Sequence, residues 1–165
     1  DIFELQEVIV IPNKVIEKYL KTTAEKLIDL NYRKNMLGSA MSGSLGYNAH
    51  FANIVAAMFL ATGQDMAHTV DGSIGFTTIE KVDDGVLFGV TISSLQVGTV
   101  GGGTGVATQK ECLDLLGVAG PGEPTGDNSK KLAEIVATAV LAGEISLLGA
   151  QAAKHLTRAH LKHNR

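Results

Sequence analysis

The stretch that decides the expected fold is Asn48-Ala-His-Phe-Ala-Asn-Ile-Val-Ala-Ala-Met-Phe-Leu-Ala-Thr-Gly63. Wound into a helix, it is apolar on almost every side, and helices of this kind are buried inside a fold rather than lying on its surface. Its longest uninterrupted apolar run, Ile54 to Ala61, is far shorter than the roughly 20 residues that a membrane span needs. The sequence therefore predicts a central core helix here and no membrane span in this segment.

Strands and further helices are predicted on both sides of this helix. A β-branched run from Leu5 to Ile11 ends at Pro12 and is typical of a strand. Two more strands, 74–82 and 86–94, are expected to pair around turn residues 83–85, which suit positive φ. Apolar residues at helical spacing predict the remaining helices, at 14–31, 105–116, 130–148 and 149–163. Because these elements do not alternate one for one, we expect an α+β fold, with a long buried central helix, surrounding helices and a small sheet.

Composition limits the class of protein. The chain has 165 residues, 45% of them apolar and 19% charged, and a chain of this length buries roughly 70% of its unfolded surface, so we expect one domain over residues 1–165. Its net charge of −3 offers no basic surface for a polyanion, so nucleic acid is not an expected partner. Cys112 is the only cysteine, which excludes an intramolecular disulfide and fits a reducing, cytoplasmic location.

A glycine-rich loop, Gly98-Thr99-Val100-Gly101-Gly102-Gly103-Thr104-Gly105, lies between a predicted strand and a predicted helix. Unpaired N–H groups and the helix dipole attract phosphate at such a place. The loop matches neither the dinucleotide fingerprint nor the Walker pattern. Two interpretations stay open: a ligand loop, or a tight turn in which glycine lets two backbones approach closely.

Polar side chains on or beside the apolar helix are candidates for a site. Burying such groups without partners costs roughly 1–3 kcal/mol each, so Asn48, His50, Asn53 and Asp65 must join a network or face a cleft. The structural alternative is that Asn48 caps the helix and Asp65 is a loop residue. Lys34, just before a run of small residues, either binds a carboxylate or is solvated.

Three histidines, His155, His160 and His163, lie on the last predicted helix. Their spacing is poor for metal ligation and no H-E-x-x-H pattern occurs, so no metal site is expected. A charged, solvated face is the simplest interpretation. A histidine there can also serve as a general acid, because its proton moves near neutral pH.

Five ordered motifs resemble those of one known family, hydroxymethylglutaryl-coenzyme A reductase, in the class I type of eukaryotes and archaea. The motifs lie at residues 34–50, Asn53 with 63–65, 98–104, 143–147 and 160–165. The resemblance extends over essentially all 165 residues. It covers only the C-terminal part of the family's catalytic region, within the large substrate-binding domain.

The resemblance implies an activity and its ligands. The family reduces hydroxymethylglutaryl-coenzyme A to mevalonate in two hydride transfers from two NADPH and releases coenzyme A; NADH is not excluded for this chain. Members build their sites between two subunits, so a homodimer or dimer of dimers is implied, with residues 34–50 near the subunit contact.

The resemblance also implies residue roles. Asp65 corresponds to the catalytic aspartate, and His160 to the histidine that protonates the departing coenzyme A thiolate. Lys34 corresponds to the residue that pairs with the free carboxylate of the substrate, and Asn53 to the one that bonds the reacting oxygen. The residues expected to line the coenzyme A and active-site end are His50 and Ser146. Those expected to contact the cofactor are Gly98, Thr99, Val100, Gly101, Gly102, Gly103 and Thr104.

Parts of the family pattern are missing from this sequence. The family's catalytic lysine, its partner glutamate and the small cofactor-binding domain with its Asp-Ala-Met-Gly-Met-Asn motif belong to segments before residue 1. We therefore expect this segment alone to be inactive. The alternatives are a non-catalytic module that binds coenzyme A or a nucleotide, and a purely structural oligomerisation domain.

Overall fold

The computed structural model describes residues 1–154, and their strands form a three-stranded antiparallel sheet in the order β1-β3-β2. The strands are β1 (Ile2–Ile11), β2 (Gly75–Val82) and β3 (Gly85–Gln96). β3 lies in the middle and is mostly buried. The predicted hairpin around residues 83–85 is confirmed, since Val82 pairs with Gly85, and the predicted first strand is confirmed and begins earlier, at Ile2.

The helices of the described part surround this sheet, and the α+β class is confirmed. Residues 16–20 and 31–38 form π-helical turns, and residues 66–68 and 102–105 form 3₁₀ turns. The α-helices are α1 (Asn13–Val15), α2 (Ala24–Leu30), α3 (Ser39–Ser42), α4 (Phe51–Thr62), α5 (Thr69–Gly72), α6 (Ala107–Leu115) and α7 (Asp127–Ala152).

The helix predicted over residues 14–31 is interrupted. Lys21 adopts a left-handed conformation, with φ 56°, which ends the first helical segment. The side chain of Thr23 then accepts a hydrogen bond from the Lys26 N–H at 3.4 Å and caps α2. Hydrophobic spacing continues across this break, so periodicity alone could not reveal it.

The longest core helix is α7, and the helix predicted over residues 48–63 is confirmed as the core helix α4 but is buried on one face rather than on nearly every side. α7 has 26 residues, ten of them buried, including Leu132, Val136, Val140 and Leu148. It is long and apolar enough to cross a membrane, but half of its most apolar window is buried within the fold. Its apolar composition is therefore accounted for by packing against β1, β3 and α4.

α4 buries only one face. Phe51, Val55 and Phe59 are fully buried, whereas Leu60 on the opposite face is 65% exposed. A helix that is apolar on all sides can pack against other elements on two faces. The described part of this chain covers one face of α4. The exposed apolar face of α4 is the reason that the prediction of burial on nearly every side failed.

The boundary predicted between helices 130–148 and 149–163 is also wrong, because α7 continues across it without a break to Ala152. Gly149 is buried against Leu20, and a Cβ there would lie 3.0 Å from the Leu20 Cδ2 atom. This contact explains a glycine inside a helix. The rest of the predicted last helix, with His155, His160 and His163, lies outside the described residues.

Candidate functional site

The first candidate site is a cavity of ≈ 580 Å³ between the end of α4, the end of β3 and the glycine loop. Asp65 lies in its wall together with His68 and Gln64. The loop contributes Gly98 and residues 100–104. The structure therefore brings together two of the predicted groups, the carboxylate and the loop.

Gln64 holds the glycine loop against the segment that carries Asp65. Its Nε2 donates to the Gly98 carbonyl at 2.9 Å, and its Oε1 accepts from the Gly98 N–H at 2.7 Å. Next to it, Gly63 and Gly103 are packed backbone against backbone, since a Cβ at Gly63 would lie 2.3 Å from the Gly103 carbonyl oxygen. These contacts fix the loop relative to Asp65.

The close-packed interpretation of the glycine loop is confirmed for part of it, and the rest of the loop leaves room for the ligand interpretation. Gly103 supports the close-packed turn, whereas Gly98, Gly101 and Gly102 have no atom within 4 Å of where a Cβ would be. Gly101 and Gly102 have φ values of 76° and 53°, which glycine adopts without strain. The open side of the loop can thus accept a ligand while its other side is structural.

Thr99 and Thr104 stabilise the loop from within. Thr99 is buried, and its hydroxyl donates to the Gly120 carbonyl at 2.7 Å. The Thr104 hydroxyl donates to the Gly101 carbonyl at 2.6 Å. Val100 is 65% exposed beside the cavity. The threonine hydroxyls are therefore engaged in shaping the loop.

Asp65 is placed by its own helical turn and by a neighbouring histidine. Its Oδ1 accepts from the Ala67 N–H at 3.0 Å and caps the 3₁₀ turn, so the structural role that was left open for Asp65 is real. Its Oδ2 lies 3.7 Å from His68 Nε2, and His68 Nδ1 lies 3.2 Å from Asp71 Oδ2. The other carboxylate oxygen of Asp65 thus faces an imidazole held between two acids.

The second candidate site is a cleft of ≈ 440 Å³ that contains Lys34 and His50. Burial lowers the pKa of the Lys34 ammonium, and the negative charge of Glu144 opposes this by raising that pKa. His50 Nε2 is buried and has no hydrogen-bond partner within residues 1–154. A cation and an unsatisfied ring nitrogen in one cleft are suited to an anionic, oxygen-rich ligand.

A buried polar network leads from Lys34 into the core. Lys34 Nζ donates to Asn35 Oδ1 at 3.2 Å, and Asn35 Nδ2 donates to Asn31 Oδ1 at 2.8 Å. Asn31 Nδ2 then donates to the Thr77 carbonyl at 3.0 Å. The Thr77 hydroxyl donates to Glu144 Oε2 at 2.6 Å. Asn31 and Asn35 belong to the π-helical turn, and such turns occur frequently at functional sites.

Asn48 caps α4, as the structural alternative proposed. Its Oδ1 accepts from the Phe51 N–H at 3.0 Å, and its Nδ2 donates to the Ser73 and Gly75 carbonyls at 3.0 and 3.2 Å. The residue thereby ties the start of α4 to the start of β2. This fixes the neighbouring His50 at one end of the cleft.

The remaining predicted residues lie apart from the two cavities. Asn53 is exposed on α4 one turn after His50, and Ser146 is exposed on α7. Neither lines either cavity. His160 lies outside the described residues.

Sequence reasoning missed the residues that support the sites. Glu144 is a lone carboxylate in the apolar stretch of α7 and is completely buried, a combination that requires partners. That isolated charge was the available signal. Gln64 and Thr77 carried none, because their partners Gly98 and Glu144 come from distant parts of the chain. For His68 the signal was local, since Asp65 and Asp71 lie three residues before and after it.

Comparisons with known proteins show the family to which this chain is related. The family model of hydroxymethylglutaryl-coenzyme A reductase matches residues 3–165. The 3-hydroxy-3-methylglutaryl-coenzyme A reductase of Pyrococcus horikoshii is 60% identical over 152 residues, 92% of this chain. Those of Methanocaldococcus jannaschii and Haloferax volcanii are 57% and 56% identical, over 89% and 91% of the chain. The chain spans 35–37% of the length of these three relatives.

Proposed function

Because the chain belongs to the hydroxymethylglutaryl-coenzyme A reductase family, we propose that the full-length protein reduces hydroxymethylglutaryl-coenzyme A to mevalonate. The reaction consumes two NADPH and two protons and releases coenzyme A as its free thiol. Residues 1–165 are the C-terminal part of the large, substrate-binding domain in this proposal. The segment is inactive without the rest of the polypeptide.

The observation that carries the proposal is the pairing of Lys34 and His50 in one cleft. An ammonium group in partly buried surroundings attracts the free carboxylate of the substrate more strongly than it would in water. The unsatisfied Nε2 of His50 offers a further polar contact. Asn53 and Ser146 line neither cavity, and their proposed roles, bonding the reacting oxygen and lining the coenzyme A and active-site end, rest on the family resemblance alone.

The glycine loop is the proposed cofactor-contacting element. Gly101 and Gly102 present open backbone to the cavity that Asp65 lines, and a side chain at either position would occupy part of that space. The loop therefore fits the approach of a dinucleotide, and Gly98, Thr99, Val100, Gly103 and Thr104 hold its shape. NADPH, when bound, supplies the hydride.

Asp65 and His160 are the proposed catalytic residues. A carboxylate in the Asp65 position holds a neighbouring ammonium charged, so that the developing oxyanion is stabilised and protonated. His160 protonates the departing thiolate, because a thiol is a better leaving group than its anion. Both roles follow from the family resemblance.

We also propose that the protein is a cytoplasmic homo-oligomer with its site at a subunit interface. The exposed apolar face of α4 supports this, since Leu60 is 65% exposed and nearby Val70 is 67% exposed. Contiguous exposed apolar surface marks interaction sites. Leu60 also lines the first cavity, so the proposed interface adjoins the cavity that Asp65 and the glycine loop share.

The test of the proposal is oxidation of NADPH by the purified full-length gene product upon addition of hydroxymethylglutaryl-coenzyme A. We expect two NADPH oxidised for each coenzyme A released. Binding of coenzyme A or NADPH without turnover would instead identify a non-catalytic module. NADH in place of NADPH tests the cofactor preference.

Substitution of Asp65 tests its role within the reaction. We expect Asp65→Asn in the full-length enzyme to lower kcat at least about 100-fold with KM changed less than about threefold. The amide keeps the cap on the Ala67 N–H but has no charge. Asp114→Asn, at an exposed aspartate of α6, is the control and should behave as wild type. Turnover near the wild-type rate in Asp65→Asn would reject the assignment.

A further inference from the structure

Glu144 is the most deeply buried charged residue of the described chain and lies beside the Lys34 cleft. Its side chain is 0% exposed. Acidic residues are almost never fully buried without partners. Its Oε2 accepts from the Ala49 N–H at 2.9 Å, and its Oε1 accepts from the His50 N–H at 2.7 Å. Backbone N–H groups can only donate, so both oxygens of the carboxyl group act as acceptors.

These bonds fix the position of His50. Residues 49 and 50 directly precede α4, and the Asn53 N–H donates to the His50 carbonyl at 3.0 Å. His50 Nε2 lies 4.0 Å from Glu144 Oε1. Gly143, the residue before Glu144, allows this approach, because a Cβ there would lie 3.3 Å from His50 Nε2. α7 therefore determines where the imidazole stands in the cleft.

The same carboxylate is linked to the other side of the cleft. The buried network described above connects Glu144 through Thr77, Asn31 and Asn35 to the Lys34 ammonium. Glu144 thus bonds directly to the backbone of Ala49 and His50 on one side of the cleft. It is linked to Lys34 on the other side through the hydrogen-bond network. Its negative charge is not screened by water, because the carboxylate and the side chains between are buried.

We propose that Glu144 is a positioning residue of the substrate cleft: it holds His50 in place and, through the buried hydrogen-bond network, supplies the buried counter-charge of the Lys34 ammonium that receives a carboxylate. The proposal rests on the function proposed above, in which Lys34 binds the free carboxylate of the substrate. Glu144 itself touches no substrate, since its carboxylate is enclosed.

The pKa of Lys34 depends on all the charged groups that face it. Glu144 is the carboxylate whose charge raises the Lys34 pKa, against the lowering by burial. Removing that charge leaves burial unopposed, so Lys34 loses its proton at a lower pH. The other titratable or charged groups around Lys34 and its two neighbouring cavities are His50, Lys26, Asp29, Arg33 and Lys154.

The first experiment measures the protonation of Lys34 directly and needs no activity. The full-length protein is acetylated with acetic anhydride over a range of pH, and modification of each lysine is followed by mass spectrometry. Only the neutral amine reacts. In Glu144→Gln we expect Lys34 to react several-fold faster than in wild type near pH 8, with Lys130 as the internal reference. An unchanged ratio overturns the proposal.

The second experiment measures catalysis in the same variants. We expect Glu144→Gln to raise KM for hydroxymethylglutaryl-coenzyme A about tenfold with kcat changed less than about threefold. The rise in KM should begin at a lower pH than in wild type. A decrease in kcat as large as the increase in KM, with no shift of the pH profile, would indicate a merely structural role. If wild type is inactive while Lys34 labelling shifts, the charge role stands and the proposed function fails.

Matched variants separate charge from fold. Thr77→Val removes one hydrogen bond but keeps the carboxylate, so Lys34 labelling should stay at the wild-type level. Glu134→Gln makes the same change at an exposed glutamate of α7 and should alter nothing. Should Glu144→Gln fail to fold, Asn35→Ala replaces it, because it detaches Lys34 from the network. A KM within about twofold of wild type in Asn35→Ala would also overturn the proposal.

Discussion

At the scale of single residues, Lys34 shows how a binding group opposes the stability of the fold. Burial lowers the pKa of its ammonium group below the ordinary lysine value of 10.5. The folded state therefore binds this proton less tightly than the unfolded state does. Below the lowered pKa, where both states are protonated, the residue reduces the free energy of unfolding.

This argument predicts the behaviour of Lys34→Met in the full-length protein. At neutral pH we expect a slightly higher melting temperature than wild type, because the desolvated charge is removed. As pH rises through the lowered pKa toward 10.5, wild type recovers and the difference shrinks. Under the proposed function, KM for the substrate rises about 30-fold or more at the same time.

Thermal unfolding at a series of pH values checks the first part of this prediction. Lys130→Met, the same change at an exposed lysine of α7, is the control. A melting temperature lower than wild type in Lys34→Met at neutral pH would contradict the argument. So would a difference that does not depend on pH.

At the scale of elements, the sequence predicted strands better than helices. The hairpin of β2 and β3 follows from alternating β-branched residues and a turn with the right chemistry, all of them local signals. The break at Lys21 depends on one residue with φ 56°, which has no compositional signature. The degree to which α4 and α7 are buried depends on which surfaces meet, and no single segment encodes that.

The predicted site divides in the same way. Asp65, Lys34 and the glycine loop were candidates from residue type and position, and the roles predicted for them come from the family resemblance. The role of Glu144 was missed because its partners at residues 49, 50 and 77 lie far away in the sequence, although its isolated charge was a signal, and His68 was missed despite its local spacing from Asp65 and Asp71. The structure then separates the predicted residues into two cavities, an arrangement that spacing along the chain could not reveal.

The contact between Gly63 and Gly103 predicts a strong effect on the stability of these elements. In Gly63→Ala the new Cβ would meet the Gly103 carbonyl oxygen at 2.3 Å, and the residue has φ 70°. We expect a loss of about 2–4 kcal/mol in the free energy of unfolding. Gly105→Ala, where a Cβ meets nothing within 4 Å, should cost less than about 1 kcal/mol.

Chemical denaturation of the full-length protein measures both values. A Gly63→Ala variant as stable as Gly105→Ala would show that the two backbones can separate without cost. The close packing would then not hold the loop against the Asp65 segment.

At the scale of the whole molecule, the exposed face of α4 predicts the effect of a charge on assembly. We expect Leu60→Arg in the full-length protein to keep its secondary structure but to dissociate the oligomer, because a buried, unpaired charge costs several kcal/mol at an interface. Leu60→Met keeps the face apolar and should assemble as wild type does. Native mass, measured by light scattering, distinguishes the two.

The Leu60→Arg variant also tests the link between assembly and ligand binding. Because Leu60 lines the cavity that Asp65 and the glycine loop share, Leu60→Arg should also weaken binding of the cofactor proposed to lie there. A protein that is monomeric before any substitution would contradict the proposed assembly. Leu60 would then lie on an ordinary exposed surface.

The paired hydrogen bonds between Gln64 and Gly98 have a mechanical consequence. Two bonds join one planar amide to the N–H and the carbonyl of Gly98, which belong to successive peptide groups, so they resist both sliding and rotation and act as a rigid coupling. A ligand that presses on the loop therefore displaces the segment next to Gln64, which begins with Asp65. We therefore expect that a ligand bound at the loop shifts the position of the Asp65 carboxylate, and that a displaced carboxylate shifts the loop.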